Sequence, residues 1–201
     1  RHYEFDESGA MVLVMDYMSG GSLENVLAEQ GSLPEADAHI LLQHMTAALV
    51  FSHGLKKPIL HRDIKPANIL REGPDWYLGD WGIGGSKDGS STKGAGTFLY
   101  NAPEVFEGKR YPESDIYSLG MTIFHALTGQ PGFTGSDAMV MMGHLQKTVD
   151  FNQKGVSNSL QPLLQSMLEK DPKNRPSAAE LIKRFKSSTS SELNGSRQGS
   201  D

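Results

Sequence analysis

Asp63, Lys65, Asn68 and Asp80 place two carboxylates, an ammonium and a carboxamide within one short span of the chain. Phosphoryl transfer asks a protein for such groups: a carboxylate beside the acceptor hydroxyl, oxygen ligands for magnesium, and a cation near the migrating phosphoryl group. Each requirement has a candidate here. The absence of cysteine excludes thiolate metal sites and a disulfide framework, and the seven histidines do not fall into ligand spacings, so a metal held by this chain is bound through oxygen.

The frame around these residues is ordinary. With 201 residues, 37% of them hydrophobic and 21% charged, the composition suits one compact domain. Nineteen basic against 24 acidic side chains give a net charge of -5, so no basic footprint recommends nucleic acid or an anionic membrane as a partner. No run of about eighteen apolar residues is present that would span a bilayer, and the first residues lack a signal-peptide pattern. The expected location is cytoplasmic or nuclear.

The elements that must hold the chemistry are legible from periodicity. Residues 2–17 read as two strands around the turn Asp6-Glu-Ser-Gly9, a pair that needs further strands or a helix to be stable. A polar, Gly-punctuated connection leads to a short helix from Ser22 to about Ala28. The capping-box pattern Ser32-Leu-Pro-Glu35 predicts a long helix to about His53, with Ile40, Leu41, Met45, Ala48 and Leu49 on its apolar face. Short strands are expected at Ile69-Leu70 and Trp76-Tyr-Leu78. Residues 83–96, rich in Gly, Ser and Thr, read as a mobile segment beside the site. Helices follow at Pro112–Thr128, closed by Gly129 and Pro131, and at Asp137–Lys147, Leu160–Lys170 and Ser177–Lys186. Met139, Met141 and Met142 read as helix packing or as an exposed cluster that docks a substrate or regulator, and His44, His53, His125 and His144 as core or surface histidines rather than catalytic ones.

Five stretches occur in a particular order: Leu60-His-Arg-Asp-Ile-Lys-Pro-Ala-Asn-Ile-Leu70; Gly79-Asp-Trp-Gly82; Gly96-Thr97 with Ala102-Pro-Glu104; Ser114-Asp115-Ile-Tyr-Ser-Leu-Gly120; and Asn174-Arg175-Pro-Ser177. Together they resemble the signature set of eukaryotic-type protein kinases, over residues 2–186. The resemblance implies an α+β, mainly α-helical fold: a protein kinase-like C-terminal lobe with a residual N-terminal β-hairpin. Residues 1–18 would be the remnant of the N-terminal lobe and hinge, 19–186 the C-terminal lobe, and 187–201 a disordered Ser-rich tail.

The resemblance also assigns roles. Asp63 would be the catalytic base, Lys65 would approach the γ-phosphate of ATP, and Asn68 and Asp80 would hold Mg2+ or Mn2+. Met15 would guard the back pocket, the backbone of Asp16 and Met18 would meet the adenine edge, and Leu70 would lie under the base. Arg62 would pair with a phosphate in the activation segment, for which Ser90, Ser91 and Thr92 are the candidate acceptors. Thr97 with Lys65 implies Ser/Thr specificity toward a protein substrate. His61 would prop the catalytic loop, Asp115 would brace it, and Glu104 would pair with Arg175. Trp81 replaces the Phe usual in the metal-binding tripeptide and would shift how readily Asp80 points toward metal.

The sequence departs from the family pattern in one further respect. It holds no Gly-x-Gly-x-x-Gly, no strand Lys in a Val-Ala-Ile-Lys-like run and no helix Glu to pair with it. The chain alone is therefore expected to bind ATP weakly and to have negligible kinase activity, as part of a Ser/Thr protein kinase. The alternative is a truncated, non-catalytic kinase-like module that acts by protein binding.

Overall fold

In the computed structural model, which describes residues 2–81, 98–152 and 155–184, the chain starts as an antiparallel hairpin of β1 (His2–Phe5) and β2 (Met11–Val14). Asp6 closes the turn. Its Oδ1 accepts from the Ser8 hydroxyl at 2.6 Å and from the Ser8 and Ala10 amides at 2.9 Å, and these bonds hold the carboxyl below its ordinary range. Tyr3, Phe5, Val12 and Val14 are all exposed, in keeping with the need of a two-stranded pair for further cover.

The core lies below this hairpin in sequence. Ser22 caps α1 (Leu23–Gln30), exchanging bonds with Asn25, and Leu23, Val26 and Leu27 turn inward. Helices α2 (Glu35–His53) and α3 (Pro112–Thr128) pack on each other as the central pillars. On α2 the buried stripe is Ala38, Leu41, Leu42, Met45 and Leu49, at helical spacing. Ile40, expected on that stripe, is instead 39% exposed because the face runs through Leu42.

The expected capping box at α2 does not form. Pro34 stands at the N-cap with no side-chain bond, and the Glu35 carboxylate accepts from the Ser157 hydroxyl at 2.6 Å. A partner distant in sequence has taken the group that would have closed the local motif.

Strands β3 (Ile69–Glu72) and β4 (Asp75–Leu78) form a second antiparallel pair that follows residues 60–68. The linker after β2 is clamped to it: Gly20 N donates to Arg71 O at 3.0 Å and Arg71 N to Gly21 O at 2.9 Å. Gly20 is required there, since a Cβ would sit 2.6 Å from the Arg71 carbonyl oxygen.

Beyond α3, α4 (Asp137–Gln146) and α5 (Gln161–Met167) complete the lower layer, and residues 178–184 form a last helical run. Here the capping box does form, with Ser177 N donating to Glu180 Oε2 at 2.8 Å and Glu180 N to Ser177 Oγ at 3.3 Å. Helix α5 stops at Met167, short of the expected Lys170, and the Glu169 and Lys170 carbonyls beyond it accept from Arg175. Met139 and Met142, expected to pack, are exposed along a groove with Phe133 and Thr134. The result is mainly helical with two small antiparallel sheets, and among the described residues no helix is long and apolar enough to cross a membrane. The expected mobile segment 83–96 and the tail 187–201 lie outside the described residues.

Candidate active site

The site is built from the loop between α2 and β3 and from the residues just after β4. Three of the four chemically suggestive residues meet at one carboxylate. Lys65 Nζ lies 2.8 Å from Asp63 Oδ2, and Asn68 Nδ2 donates to the same oxygen at 2.9 Å and to the Asp63 carbonyl at 2.8 Å. A short 3-10 turn, Pro66–Asn68, brings Asn68 back toward Asp63. Both bonds from Asn68 use its amide nitrogen, so its side-chain oxygen lies outside them.

Asp80 is set beside this loop through the backbone. The Gly79 amide donates to the Asn68 carbonyl at 2.9 Å, and His61 Nε2 donates to the Gly79 carbonyl at 2.7 Å. That bond fixes the His61 tautomer, leaving Nδ1 to accept from the Asp63 amide at 3.4 Å. Trp81 meets the His61 ring edge-on at 4.9 Å between centroids and donates from Nε1 to the Leu78 carbonyl at 2.7 Å.

Two non-glycine residues here have left-handed backbone, Arg62 with φ 72° and Asp80 with φ 53°. Such a conformation costs about 1–2 kcal/mol per residue, so the surroundings must hold it. Asp115, near the start of α3 and 2% exposed, does this for Arg62: Oδ1 accepts from the Arg62 amide at 2.9 Å and Oδ2 from the His61 amide at 2.8 Å. His53 Nε2 donates to the same Oδ2 at 2.9 Å. The two histidine-bearing segments and α3 thereby converge on one carboxylate. The Arg62 side chain itself is exposed, and Arg110 Nη1 reaches its carbonyl at 3.5 Å.

Farther out, Glu104 and Arg175 form a buried bidentate pair at 2.7 and 2.8 Å. Ser114 adds a 2.6 Å bond to Glu104. Burial pushes the Glu104 carboxyl up, but the Arg175 and Ser114 bonds outweigh it and hold the group below the ordinary carboxylate range. Arg175 also donates to the Glu169, Lys170 and Glu113 carbonyls, so all five of its N–H groups are used.

The residues expected near adenine are less convergent. Leu70 sits on β3 against the clamped linker, forming a bridge with Ser22, and Met18 is half-buried, whereas Met15 and Asp16 are exposed. Ser90, Ser91, Thr92 and Thr97 lie outside the described residues, as does Gly82. Sequence reasoning missed the bracing parts played by His53 and Ser114. Ser114 adjoins Asp115, which offered a positional signal, but nothing in the helical periodicity singled out either residue.

The model of the protein kinase domain family matches residues 2–185. The chain belongs to the protein kinase family. Its relatives include the serine/threonine-protein kinase AtPK2/AtPK19 of Arabidopsis thaliana, 33% identical over 192 residues that cover 92% of this chain and 40% of that protein. They also include testis-specific serine/threonine-protein kinase 3 of Mus musculus, 33% identical over 89% of this chain and 69% of that protein. The serine/threonine-protein kinase PkaA of Streptomyces coelicolor is 31% identical over 88% of this chain and 34% of its own length. The kinase chain described here spans about two-fifths of the first two Arabidopsis relatives, at 40% and 41%.

Proposed function

We propose that this chain supplies the C-terminal lobe and hinge of a serine/threonine protein kinase that transfers the γ-phosphate of ATP to protein hydroxyls. The carrying observation is the convergence of Lys65 and Asn68 on the Asp63 carboxylate. In this reading Asp63 orients the acceptor hydroxyl and takes its proton, a role worth about 10² to 10⁴ in rate. Lys65 places positive charge beside the transferred group, the backbone of Asp16 and Met18 meets the adenine edge, and Leu70 lies under the base.

The oxygen donors fit a divalent cation. Among the described residues no three His, Cys, Asp or Glu side chains cluster as a metal cage. A hard cation such as Mg2+ does not need one, because it is held by one or two protein oxygens together with phosphates and waters. Asn68, through the side-chain oxygen its nitrogen bonds leave outside, and Asp80 would hold it, and bound there it would neutralise charge on the phosphates.

The sequence holds no Gly-rich loop, strand Lys or partner Glu, the elements that cover ATP and orient its α- and β-phosphates in this family. The 201 residues alone would thus bind ATP weakly and transfer phosphate negligibly. The test pairs two measurements of Mg-dependent phosphate transfer to a protein substrate. A kinase carrying these residues with an N-terminal lobe loses activity by about 10² or more in Asp63→Asn. The 201-residue chain shows none; robust transfer by the chain alone, abolished in Asp63→Asn, would overturn its assignment as an incomplete catalytic unit.

A further inference from the structure

Lys170 lines a cavity with no carboxylate in ion-pair reach among the described residues, and unlike the exposed Lys173 on the same wall it is half-buried. The cavity, about 480 Å³, lies away from Asp63 and is lined by Glu107, Tyr111, Glu113, Lys170, Pro172 and Lys173 among others. The Lys170 side chain is half-buried, and its ammonium lies over the faces of Tyr117 and Phe133, at 5.6 and 5.5 Å from the ring centroids. Its hydrogen-bond partner is the Tyr117 hydroxyl at 3.4 Å, which in turn donates to His144 Nδ1 at 3.0 Å.

The charges around it explain why it stays unpaired. Glu104, which also lines the cavity, is saturated by Arg175 and Ser114, and Glu107 is engaged by Lys109 at 2.7 Å. The Arg175 guanidinium lies over the same Tyr117 ring, 4.8 Å from its centroid, and repels the Lys170 charge; Glu169 on its own segment attracts it more weakly. Burial first, then Arg175, pull the Lys170 amine down to about 8. An amine desolvated against apolar surface and set next to a fixed cation is the arrangement that makes lysine a nucleophile.

We propose that Lys170 is a covalent modification site for activated acyl groups, acyl phosphates or acyl thioesters, which reach it through this cavity. The neutral Nζ attacks the acyl carbonyl carbon and a C–N bond forms. The C–O bond to phosphate, or the C–S bond to the thiol, breaks, and the leaving group departs with its electron pair while the proton from nitrogen passes to solvent. The product amide is neutral, so the cation over Tyr117 and Phe133 and its repulsion of Arg175 disappear together. This site is independent of the phosphoryl-transfer reading.

The experiment treats the full 201-residue chain briefly with acetyl phosphate, and in parallel with a small acetyl thioester, at pH about 7.5, and measures initial acetylation of each lysine by peptide mass spectrometry. At that pH an amine of pKa about 8 is roughly a quarter neutral, against roughly a thousandth for an ordinary lysine. Lower basicity offsets part of this gain, and the expected result is Lys170 labelling about tenfold faster than Lys173 and Lys183 with at least one donor. The preference should vanish when the chain is first unfolded in guanidinium chloride. Labelling of Lys170 no faster than that of Lys173 and Lys183 with both donors, or a preference that survives unfolding, would overturn the proposal.

Discussion

Asp115→Asn tests the claim that a buried carboxylate holds the loop at His61 and Arg62 in its left-handed turn. The native carboxylate is acceptor-only and takes three donors, the Arg62 and His61 amides and His53 Nε2, while 2% exposed. A carboxamide of the same shape has one oxygen and one NH2 group. Whichever way it turns, its nitrogen faces either the Arg62 or the His61 amide, donor against donor. At least one buried N–H then loses its acceptor, at about 1–3 kcal/mol, and the bond that survives loses its charge assistance, about 1 kcal/mol more. The expected destabilisation is about 2–4 kcal/mol. Urea unfolding followed by circular dichroism measures it, with an unchanged m value showing that the same transition is observed. Amide hydrogen exchange supplies the local readout, since His61 and Arg62 should lose protection ahead of the α2 core. A loss below about 1 kcal/mol with both amides still protected would refute the bracing argument.

Three other perturbations follow from the same geometry. Arg175→Lys keeps the charge but cannot reproduce five bonds, and with Glu104 left partly unpaired it should cost about 3–5 kcal/mol in the same urea assay. His144 is fully buried; burial, then the Lys170 charge, pull its ring down to about 4, and its Nε2 has no hydrogen-bond partner among the described residues. A folded value of about 4 below the ordinary 6.5 means the neutral ring's stability is whole above pH 6.5 and drains away as pH falls toward 4. That loss amounts to about 3 kcal/mol, and urea midpoints across this range should show it in the native chain but not in His144→Gln. Trp81→Phe keeps an aromatic edge against His61 but forfeits the bond to the Leu78 carbonyl, for about 1 kcal/mol. In a kinase with an N-terminal lobe it should also change nucleotide affinity, and unchanged affinity and turnover would remove the idea that Trp81 tunes Asp80.

Much of this kinase chain was legible in its residues because the features concerned are local. The motif residues are close neighbours in the chain, and the positions of α1, α2 and α3 follow from apolar spacing and from glycines such as Gly129, which ends α3 with φ 74°. The capping box at Ser177 and Glu180 formed as read, since both partners lie within one turn. The one at Ser32 and Glu35 did not, because Ser157, 122 residues away, offered Glu35 a stronger claim. Helix α5 ends at Met167 rather than at the expected Lys170, and the Glu169 and Lys170 carbonyls just past it are taken by Arg175.

By itself, then, the sequence determined which groups are candidates for phosphoryl chemistry, their order along the chain and the helices that frame them. Only the tertiary structure decided what holds those groups in place. The left-handed backbone at Arg62 depends on Asp115, 53 residues on, and the Glu104 to Arg175 pair spans 71 residues. The setting of Lys170 comes from rings on α3 and on the loop before α4 that no local pattern links to it. A hydrogen-bond acceptor or a ring face is chosen by proximity in space, and that is settled only when the α2 and α3 pillars pack and bring distant segments together.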